Sequence, residues 1–332
     1  MVKPDLGQRP LSAAMWTLGI DIGATAIKLA VVNQFAATCY ENSRPTLAAD
    51  GLTSFLANLR KHIDRALSEA RRHGANVSAI GIGVPGLVQR NRIVGGINNI
   101  PILADVSLDD ELAELGLPIE VENDAYLMGM AESRFGAALG VADVIFLTVG
   151  TGIGAALKLD GRFYRGANGR SSEIGHMILS HGGARCTCGN RGCLEVLAST
   201  PALIKRYLDL ADPDLVAAGS PPTGPELVRR YLAGEPPARA AFHFHFEYLA
   251  AGVASLINIF DPRQVVIGGG ISESGDFYVR EVRQRVAKSV MNSSNANTTI
   301  DKAGLGNRAG CIGAACLFTE TAAHARAGSA AS

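Results

Sequence analysis

The sequence has no excess of charge of either sign. In 332 residues Lys and Arg total 31, and Asp and Glu also total 31, so the formal net charge at pH 7 is zero. A strong basic field is what draws proteins to DNA or to anionic lipid. The balance therefore argues against nucleic acid or a membrane as the main partner, and leaves room only for a local basic patch.

Long apolar runs and a secretory leader are also missing. No run reaches the roughly 20 residues that span a bilayer. The first segment, "MVKPDLGQRPLSAAMW", contains Lys3 but no apolar core behind it. We therefore expect a cytoplasmic protein, in which disulfides are rare and clustered cysteines more often bind a metal.

Strand and helix patterns alternate along the chain, which predicts an α/β fold. The length exceeds one compact core and favours two domains or lobes. "DIGATAIKLAVVN" and "DVIFLTVGTGIGAALKLDG" share a strand–glycine turn–strand layout, an internal echo typical of two similar lobes. "AGSPPTGPE" (218–226) predicts a surface loop. The patterns place strands at 17–23, 26–33, 77–86, 118–124, 143–161 (two) and 264–270, and helices at 51–73, 125–136, 194–210, 242–260, 276–290 and from 309.

Three glycine turns follow apolar strands. In "DIGATAIK" Gly23 allows close approach of the backbone, Thr25 can donate to a phosphate oxygen, and Asp21 could hold magnesium through water. "TVGTGIG" (148–154) and "IGGG" (267–270) are the other two. Any one of them could be an ordinary turn, but three at strand ends favour a nucleotide lying across a cleft.

Two common nucleotide motifs are absent around "TVGTGIG". No Gly-Lys-Ser/Thr follows, so it is not a Walker motif. It also does not open a helix with an acidic residue about 20 positions further on, which disfavours a dinucleotide-binding fold.

"ENDA" puts Asp124 at a junction of strand and helix. One interpretation is a helix N-cap, for which Asp is a preferred residue. The other is a general base that accepts the proton of a sugar hydroxyl as phosphate arrives.

"HMILSHGGARCTCGNRGCLE" (176–195) carries the clearest metal signal. His176, Cys186, Cys188 and Cys193 form a Cys3His set that suits closed, tetrahedral zinc. A closed site has no open position at which to activate water, which argues against a catalytic metal. No helix with basic side chains follows that could read DNA, so we expect a structural role. The alternative is a group of buried thiols, as we expect for Cys39, Cys311 and Cys316. His181 is a competing ligand, but its glycine neighbours favour an exposed loop.

Glu173 and Glu195 flank this segment. They could be solvated, or they could bind the vicinal hydroxyls of a sugar together with the second nitrogen of His176. A metal that locks the loop would preorganise them for that task.

Taken in order, these motifs resemble the ROK family (repressors, uncharacterised reading frames and sugar kinases), and within it the bacterial glucokinase-like kinases. The resemblance spans about residues 17–320 and rests on "GIDIGATAIK", "GIGVPGLV", "ENDA", "TVGTGIGAAL", "EIGHM", "CTCGNRGCLE", "DPRQVVIGGG" and "LGNRAGCIGAA". It implies an actin-like (ribonuclease H-like) ATPase fold with two α/β lobes and a central cleft. The small lobe is expected at 15–124, joined by a C-terminal helix 309–325, and the large lobe at 125–308 with the zinc loop 176–193.

The resemblance also implies a reaction, the in-line transfer of the ATP γ-phosphate to the 6-hydroxyl of a hexose, with Mg²⁺ as the catalytic ion and Zn²⁺ as a structural one. The implied base is Asp124. The implied phosphate loops are Asp21, Gly23, Thr25 and Lys28, then Gly150, Thr151, Gly152 and Gly154, with Gly268, Gly269 and Gly270 by the adenosine. The implied sugar ligands are Asn123, Asp124, Glu173, His176 and Glu195, with Pro85 and Gly86 on the opposite wall, and the implied zinc ligands are His176, Cys186, Cys188 and Cys193.

Three positions depart from the family pattern. Ser172 stands where glycine usually precedes the sugar-binding Glu, "NNIPIL" lacks the usual Trp, and Arg308 replaces an acidic residue. The first two lie on the sugar side, so the substrate is expected to be a hexose or an aminohexose such as kanosamine or glucosamine.

Two other functions stay open. A repressor of this family carries a helix-turn-helix domain ahead of "GIDIG", and with few residues before the first strand we do not expect one here. A sugar sensor without operator binding is the form of this alternative that stays open. The phosphoryl donor could also be polyphosphate, but "VVIGGG" favours ATP. A homodimer or homotetramer is expected from the family.

Overall fold

The computed structural model describes residues 15–212, 220–291 and 297–318. Contacts between Cα atoms divide them into unit 1 (15–127 and 308–318) and unit 2 (128–307, with the two gaps). Each unit combines a sheet with helices, so the predicted α/β class is confirmed. Positions 319–325 of the predicted C-terminal helix lie outside the described residues.

The strands and helices are numbered in chain order. The strands are β1 (Trp16–Ile22), β2 (Ala26–Asn33), β3 (Thr38–Pro45), β4 (Val77–Val84), β5 (Leu87–Gln89), β6 (Arg92–Gly95), β7 (Ile119–Asn123), β8 (Val144–Val149), β9 (Ile153–Leu159), β10 (Arg162–Phe163), β11 (Gln264–Gly268) and β12 (Thr299–Lys302). The helices are α1 (Gly51–Arg72), α2 (Leu108–Glu111), α3 (Asp124–Phe135), α4 (Leu194–Ala198), α5 (Thr200–Leu210), α6 (Gly224–Leu232), α7 (Pro236–Phe260), α8 (Asp276–Ser289) and α9 (309–318).

The two units contain sheets of the same design. Unit 1 has the strand order β3-β2-β1-β4-β7 and unit 2 has β10-β9-β8-β11-β12. In both, the first three strands are antiparallel and the last two run parallel to the central one. This common order agrees with the internal echo in the sequence.

The helix α1 covers the sheet of unit 1 with one apolar face. Its buried residues Phe55, Leu59 and Ile63 recur at the helical period and belong to the core of this unit. Gly74 follows the helix at φ 73°, the left-handed conformation that a C-terminal glycine supplies.

The helix α9 lies so close to the sheet of unit 1 that only glycine fits beneath it. A Cβ on Gly19 of β1 would stand 1.9 Å from the carbonyl oxygen of Cys311, and one on Gly81 of β4 would stand 1.9 Å from that of Ala314. Residues at the two ends of the chain are therefore packed backbone against backbone in the same unit.

A buried carboxylate organises one end of unit 2. Glu132 of α3 is fully buried, and it accepts hydrogen bonds from the backbone N–H groups of Ala137 (2.7 Å), Gly304 (3.0 Å) and Leu305 (2.8 Å). Three N–H donors stabilise the charged form of a carboxylate and offset the cost of burying it.

Most predicted elements are present, with boundaries that shift for local reasons. The predicted helix 194–210 is two helices, because Ser199 ends α4 and caps α5, accepting from the N–H of Ala202. The predicted helix 242–260 begins earlier, at Pro236, and the predicted strand 77–86 ends at Val84.

The predicted loop 218–226 is wrong at its end. The helix α6 begins at Gly224, with Thr223 as its cap and Pro225 in the first turn, where proline is well tolerated. Residues 218 and 219 of that loop lie outside the described part of the chain. Among the described residues, no helix is both long and apolar enough to cross a bilayer.

Candidate functional site

The first glycine turn joins β1 to β2 in unit 1. The N–H of Gly23 donates to the carbonyl of Ala26 at 2.9 Å, and Thr25 is exposed. Asp21 lies directly opposite Lys28 across the two strands, with Lys28 Nζ 3.3 Å from Asp21 Oδ2. Lys28 is therefore a strand residue paired with Asp21 and not part of the turn, because the hairpin closes before it.

The ends of β4 and β7 place the predicted base and its neighbours. Asn123 Oδ1 accepts from the N–H groups of Ala125 (3.0 Å) and Tyr126 (3.1 Å), so Asn123 caps α3, and its Nδ2 donates to the carbonyl of Gly86 at 3.0 Å. Asp124 is the half-buried first residue of the helix, with the N–H of Ala125 donating to its Oδ1 at 2.7 Å.

Asn123 caps α3 and uses both polar ends of its amide on protein partners, while Asp124 Oδ1 also accepts from the N–H of Ala125. Asn123 therefore links the start of α3 to the Pro85–Gly86 turn, and one of its amide hydrogens remains for a ligand.

The second glycine turn joins β8 to β9 in unit 2 and is fastened by Glu195. Glu195 Oε2 accepts from the N–H of Ile153 at 3.0 Å, and a Cβ on Gly152 would stand only 2.5 Å from the same oxygen. The carbonyl of Gly150 accepts from the N–H of Thr200 at 2.9 Å. Thr151 is exposed in this turn, whereas Gly154 lies in β9 opposite Thr148 and so outside the turn.

The third glycine run lies beside the second turn. Gly268 ends β11, and Gly269 has φ 94°, with an added Cβ 2.3 Å from the carbonyl oxygen of Val149, the last residue of β8. A Cβ on Gly270 would meet nothing within 4 Å. The glycines expected near adenosine and those expected near phosphate are thus neighbours in unit 2.

The four predicted metal ligands come together. The ligand atoms of His176, Cys186, Cys188 and Cys193 all lie within 4.8 Å of one another. His176 Nδ1 is 3.6 Å from Cys186 Sγ, and Cys188 Sγ is 3.7 Å from Cys193 Sγ. In a tetrahedral site with Zn–S of about 2.3 Å, two sulfurs stand about 3.8 Å apart.

The thiols of this cluster differ in their surroundings. Burial raises the pKa of Cys193 to about 12, whereas a hydrogen bond from the backbone of Asn190 lowers the pKa of Cys188. A buried thiolate at Cys193 therefore needs a cation beside it. His181 does not belong to the described cluster.

The other edge of His176 faces a carboxylate. Its Nε2 is 3.9 Å from Glu173 Oε2, so one ring nitrogen faces the cysteines and the other faces Glu173. Loss of hydration raises the pKa of Glu173, a protonated His176 opposes this, and the charge of Glu195 adds to it. Glu173, His176 and Glu195 therefore lie within electrostatic reach of one another in unit 2.

Ser172, one of the departures from the family pattern, has an unusual backbone. Its φ is 70°, in the left-handed region that favours glycine. Its side chain lines an open pocket of about 400 Å³ together with Tyr164, Arg170 and Glu173. The sequence did not indicate Tyr164 and Arg170, because no motif contains them.

The sequence profile of the ROK family matches residues 17–321. The chain belongs to the ROK family. Glucokinase from Thermotoga maritima is 32% identical over 322 residues, which cover 91% of this chain and 97% of the relative. The xylose repressor of Caldicellulosiruptor bescii is 28% identical and is covered over 76% of its length, for 89% of this chain.

A solved structure of a ROK protein has a similar fold. The ROK glucokinase of Streptomyces griseus, in complex with glucose and AMPPNP, superposes with a TM-score of 0.79 at 30% identity, covering 91% of this chain and 98% of that one. The actin-like α/β fold expected from the sequence is thereby confirmed.

We predict that Gly152→Ala lowers the free energy of unfolding by about 1 kcal/mol, because the new methyl group displaces the Glu195 carboxylate and leaves the N–H of Ile153 unpaired. The matched control is Gly150→Ala in the same turn, where an added Cβ meets nothing within 4 Å. It should change stability by no more than roughly 0.5 kcal/mol. Urea unfolding measures both, and equal effects would contradict this account.

Proposed function

We propose that this ROK protein is an ATP-dependent sugar kinase that phosphorylates the 6-hydroxyl of a hexose or aminohexose, with Asp124 as the general base. The observation that carries the proposal is that Asn123 and Asp124, at the end of β7, make different contacts. Asn123 Oδ1 accepts from the N–H groups of Ala125 and Tyr126, so the cap of α3 does not rest on Asp124 alone, whose Oδ1 also accepts from Ala125. The full-length similarity to glucokinases supports the same reaction.

In this mechanism Asp124 accepts the proton of the sugar hydroxyl as that oxygen attacks the γ-phosphorus. Such a base contributes about 10²–10⁴-fold to the rate. The larger part comes from positioning and from neutralising charge on the phosphate oxygens. We propose phosphate contacts by the amides of turn 23–25 and by those of turn 150–152, and adenosine contacts by Gly268–Gly270.

A carboxylate at the end of β1 suits a magnesium ion that keeps most of its water. Asp21 would hold it through water, and Mg²⁺ supplies charge neutralisation when bound. Lys28, whose ammonium lies 3.3 Å from Asp21, adds positive charge beside this carboxylate.

The Cys3His cluster fits zinc in number, type and spacing of ligands. Four protein ligands leave no open position, so the metal would act as a structural support. It would fix the ring of His176, whose Nε2 then stays turned toward Glu173, and it would hold the loop that leads to Glu195. We assign Glu173, His176 and Glu195 to the sugar hydroxyls.

The sugar is proposed to be an aminohexose because of Ser172. A serine at positive φ costs on the order of 1 kcal/mol relative to an unstrained residue. Retaining it in place of glycine suggests that the side chain contributes to recognition. Its hydroxyl and the Glu173 carboxylate, in the same pocket wall, present an acceptor and a negative charge of the kind that an ammonium group binds.

A substrate panel tests both the reaction and the sugar. With Mg-ATP we expect turnover, and kcat/KM for kanosamine or glucosamine should exceed the values for glucose, mannose, fructose and N-acetylmannosamine. Ser172→Gly should shift the preference toward glucose, whereas Ser255→Ala, the loss of a hydroxyl that bonds the Ala251 carbonyl within α7, should not. A large preference of the wild type for glucose would remove the aminohexose assignment.

The similarity to a xylose repressor favours a second candidate, a sugar-sensing regulator without catalysis. The same coupled ADP-release assay separates the two. If no hexose in the panel supports turnover while sugar binding is detectable, the regulator is the better description.

We predict that Asp124→Asn lowers kcat by about 10²-fold or more through loss of the general base. Sugar binding and folding should change little, because Asn123 caps the helix. Asp110→Asn, an exposed position on α2, is the matched control and should keep the wild-type kcat. An unchanged kcat in Asp124→Asn would falsify the base assignment.

We predict that Cys188→Ser lowers zinc content and thermal stability together, because metal binding contributes to folding in such loops. Metal analysis and thermal unfolding of the purified variant measure both. Cys39→Ser, on β3 and outside the cluster, should retain zinc. Full zinc occupancy in Cys188→Ser would mean that the ligand set is wrong.

A further inference from the structure

The first glycine turn is held by a residue that no motif contains. Thr46 follows β3 and is 1% exposed. Its Oγ1 donates to the carbonyl of Gly23 at 2.6 Å, and its backbone N–H donates to the carbonyl of Thr25 at 3.2 Å. One buried residue thus uses two donors on the two carbonyls that flank Ala24–Thr25.

These bonds hold two peptides of the turn, Gly23–Ala24 and Thr25–Ala26, and the first of them carries the N–H of Ala24. In a planar trans peptide, the N–H lies opposite the carbonyl of the preceding residue. With the Gly23 carbonyl fixed on Thr46, the N–H of Ala24 is directed away from Thr46. In the described part of the chain, neither the Ala24 nor the Thr25 N–H donates to a backbone or side-chain acceptor. The turn therefore presents two amides that have no acceptor among the described residues, and Thr46 sets the direction of one of them, the N–H of Ala24.

The same contact removes two acceptors that would oppose an anion. A carbonyl oxygen carries partial negative charge and repels phosphate, and a peptide that rotates exchanges its N–H for this oxygen. Hydrogen bonds to both carbonyls hinder that rotation. A phosphate then meets donors that are already oriented, which lowers the cost of binding.

We propose that Thr46 is a positioning residue for the triphosphate of ATP, acting through the backbone of turn 23–25. This inference rests on the proposed function in one respect, which is that the turn contacts phosphate. A buried threonine that only satisfies its hydroxyl within the core would have no selective effect on nucleotide binding, so the two roles can be told apart.

The experiment compares three substitutions in the full-length protein. Thr46→Val keeps the shape and removes the hydroxyl, Thr46→Ser keeps the hydroxyl, and Thr17→Val makes the same change at another buried threonine, near the opposite end of β1. The measurements are the Kd of a non-hydrolysable ATP analogue with Mg²⁺ by calorimetry, and KM for ATP and for the sugar.

For Thr46→Val we expect Kd and KM for the nucleotide to rise about tenfold, or about 1.4 kcal/mol, because the turn must then order its amides when phosphate binds. The KM for the sugar should stay within about twofold, because the substitution affects turn 23–25, to which we assign phosphate contacts and no sugar contact. Thr46→Ser should restore nucleotide affinity, and Thr17→Val should leave it unchanged. Equal losses for nucleotide and sugar, or an unchanged nucleotide Kd in a folded Thr46→Val, would overturn the proposal.

Three further outcomes are informative. If Thr46→Val does not fold, Thr46→Ala removes the same hydroxyl with less apolar bulk, and its nucleotide Kd is read against the same limits. If the wild type binds the analogue but phosphorylates no sugar, the sugar-kinase function fails while the Thr46 comparison still stands. A wild type that binds no analogue overturns the role of Thr46.

Discussion

Parallel pairing of strands is the constraint on which the described chemistry depends. In unit 1 the register sets Asp21 beside Gly83, and Gly83 beside Glu122. One or two residues further along each strand come the glycine turn, Pro85–Gly86 and Asn123–Asp124. Parallel strands end at a common edge, so residues that are distant in sequence are brought to one place by backbone hydrogen bonds alone.

The same constraint acts separately in unit 2. There Thr148 of β8 pairs with Gly268 of β11, which brings the second turn next to the third glycine run. The close approach of Gly269 to Val149 needs both a positive φ and the absence of a side chain. Glycine at these strand ends is thus required first by backbone packing, and the space it leaves is then available to a ligand.

The sequence predicted what depends on local chemistry. The glycine turns, the Cys3His set and α1 each follow from residues close together in the chain. The strand β3 was missed because "TCYENSRP" is mostly polar and half-exposed, with no apolar alternation to mark it. The helix α6 was missed because Pro225, together with Pro221 and Pro222 just before the helix, indicated a loop.

Other features depend on register, which the sequence does not display. Lys28 pairs with Asp21 only because β1 and β2 align them. Asn123, and not Asp124, caps α3 because of where β7 ends. The contact of Thr46 with Gly23 spans 23 residues and exists only when β3 pairs with β2.

The packing of α9 on Gly19 and Gly81 has a consequence for biosynthesis. Unit 2 is one continuous stretch of chain, whereas unit 1 needs its last helix against strands made near the start. A ribosome delivers the segments of unit 2 before α9 exists. Unit 2 is therefore able to complete its core first. Until α9 is synthesised, the sheet of unit 1 keeps the face that α9 covers exposed. During that interval the uncovered face exposes apolar surface and strand edges of the kind that associate wrongly.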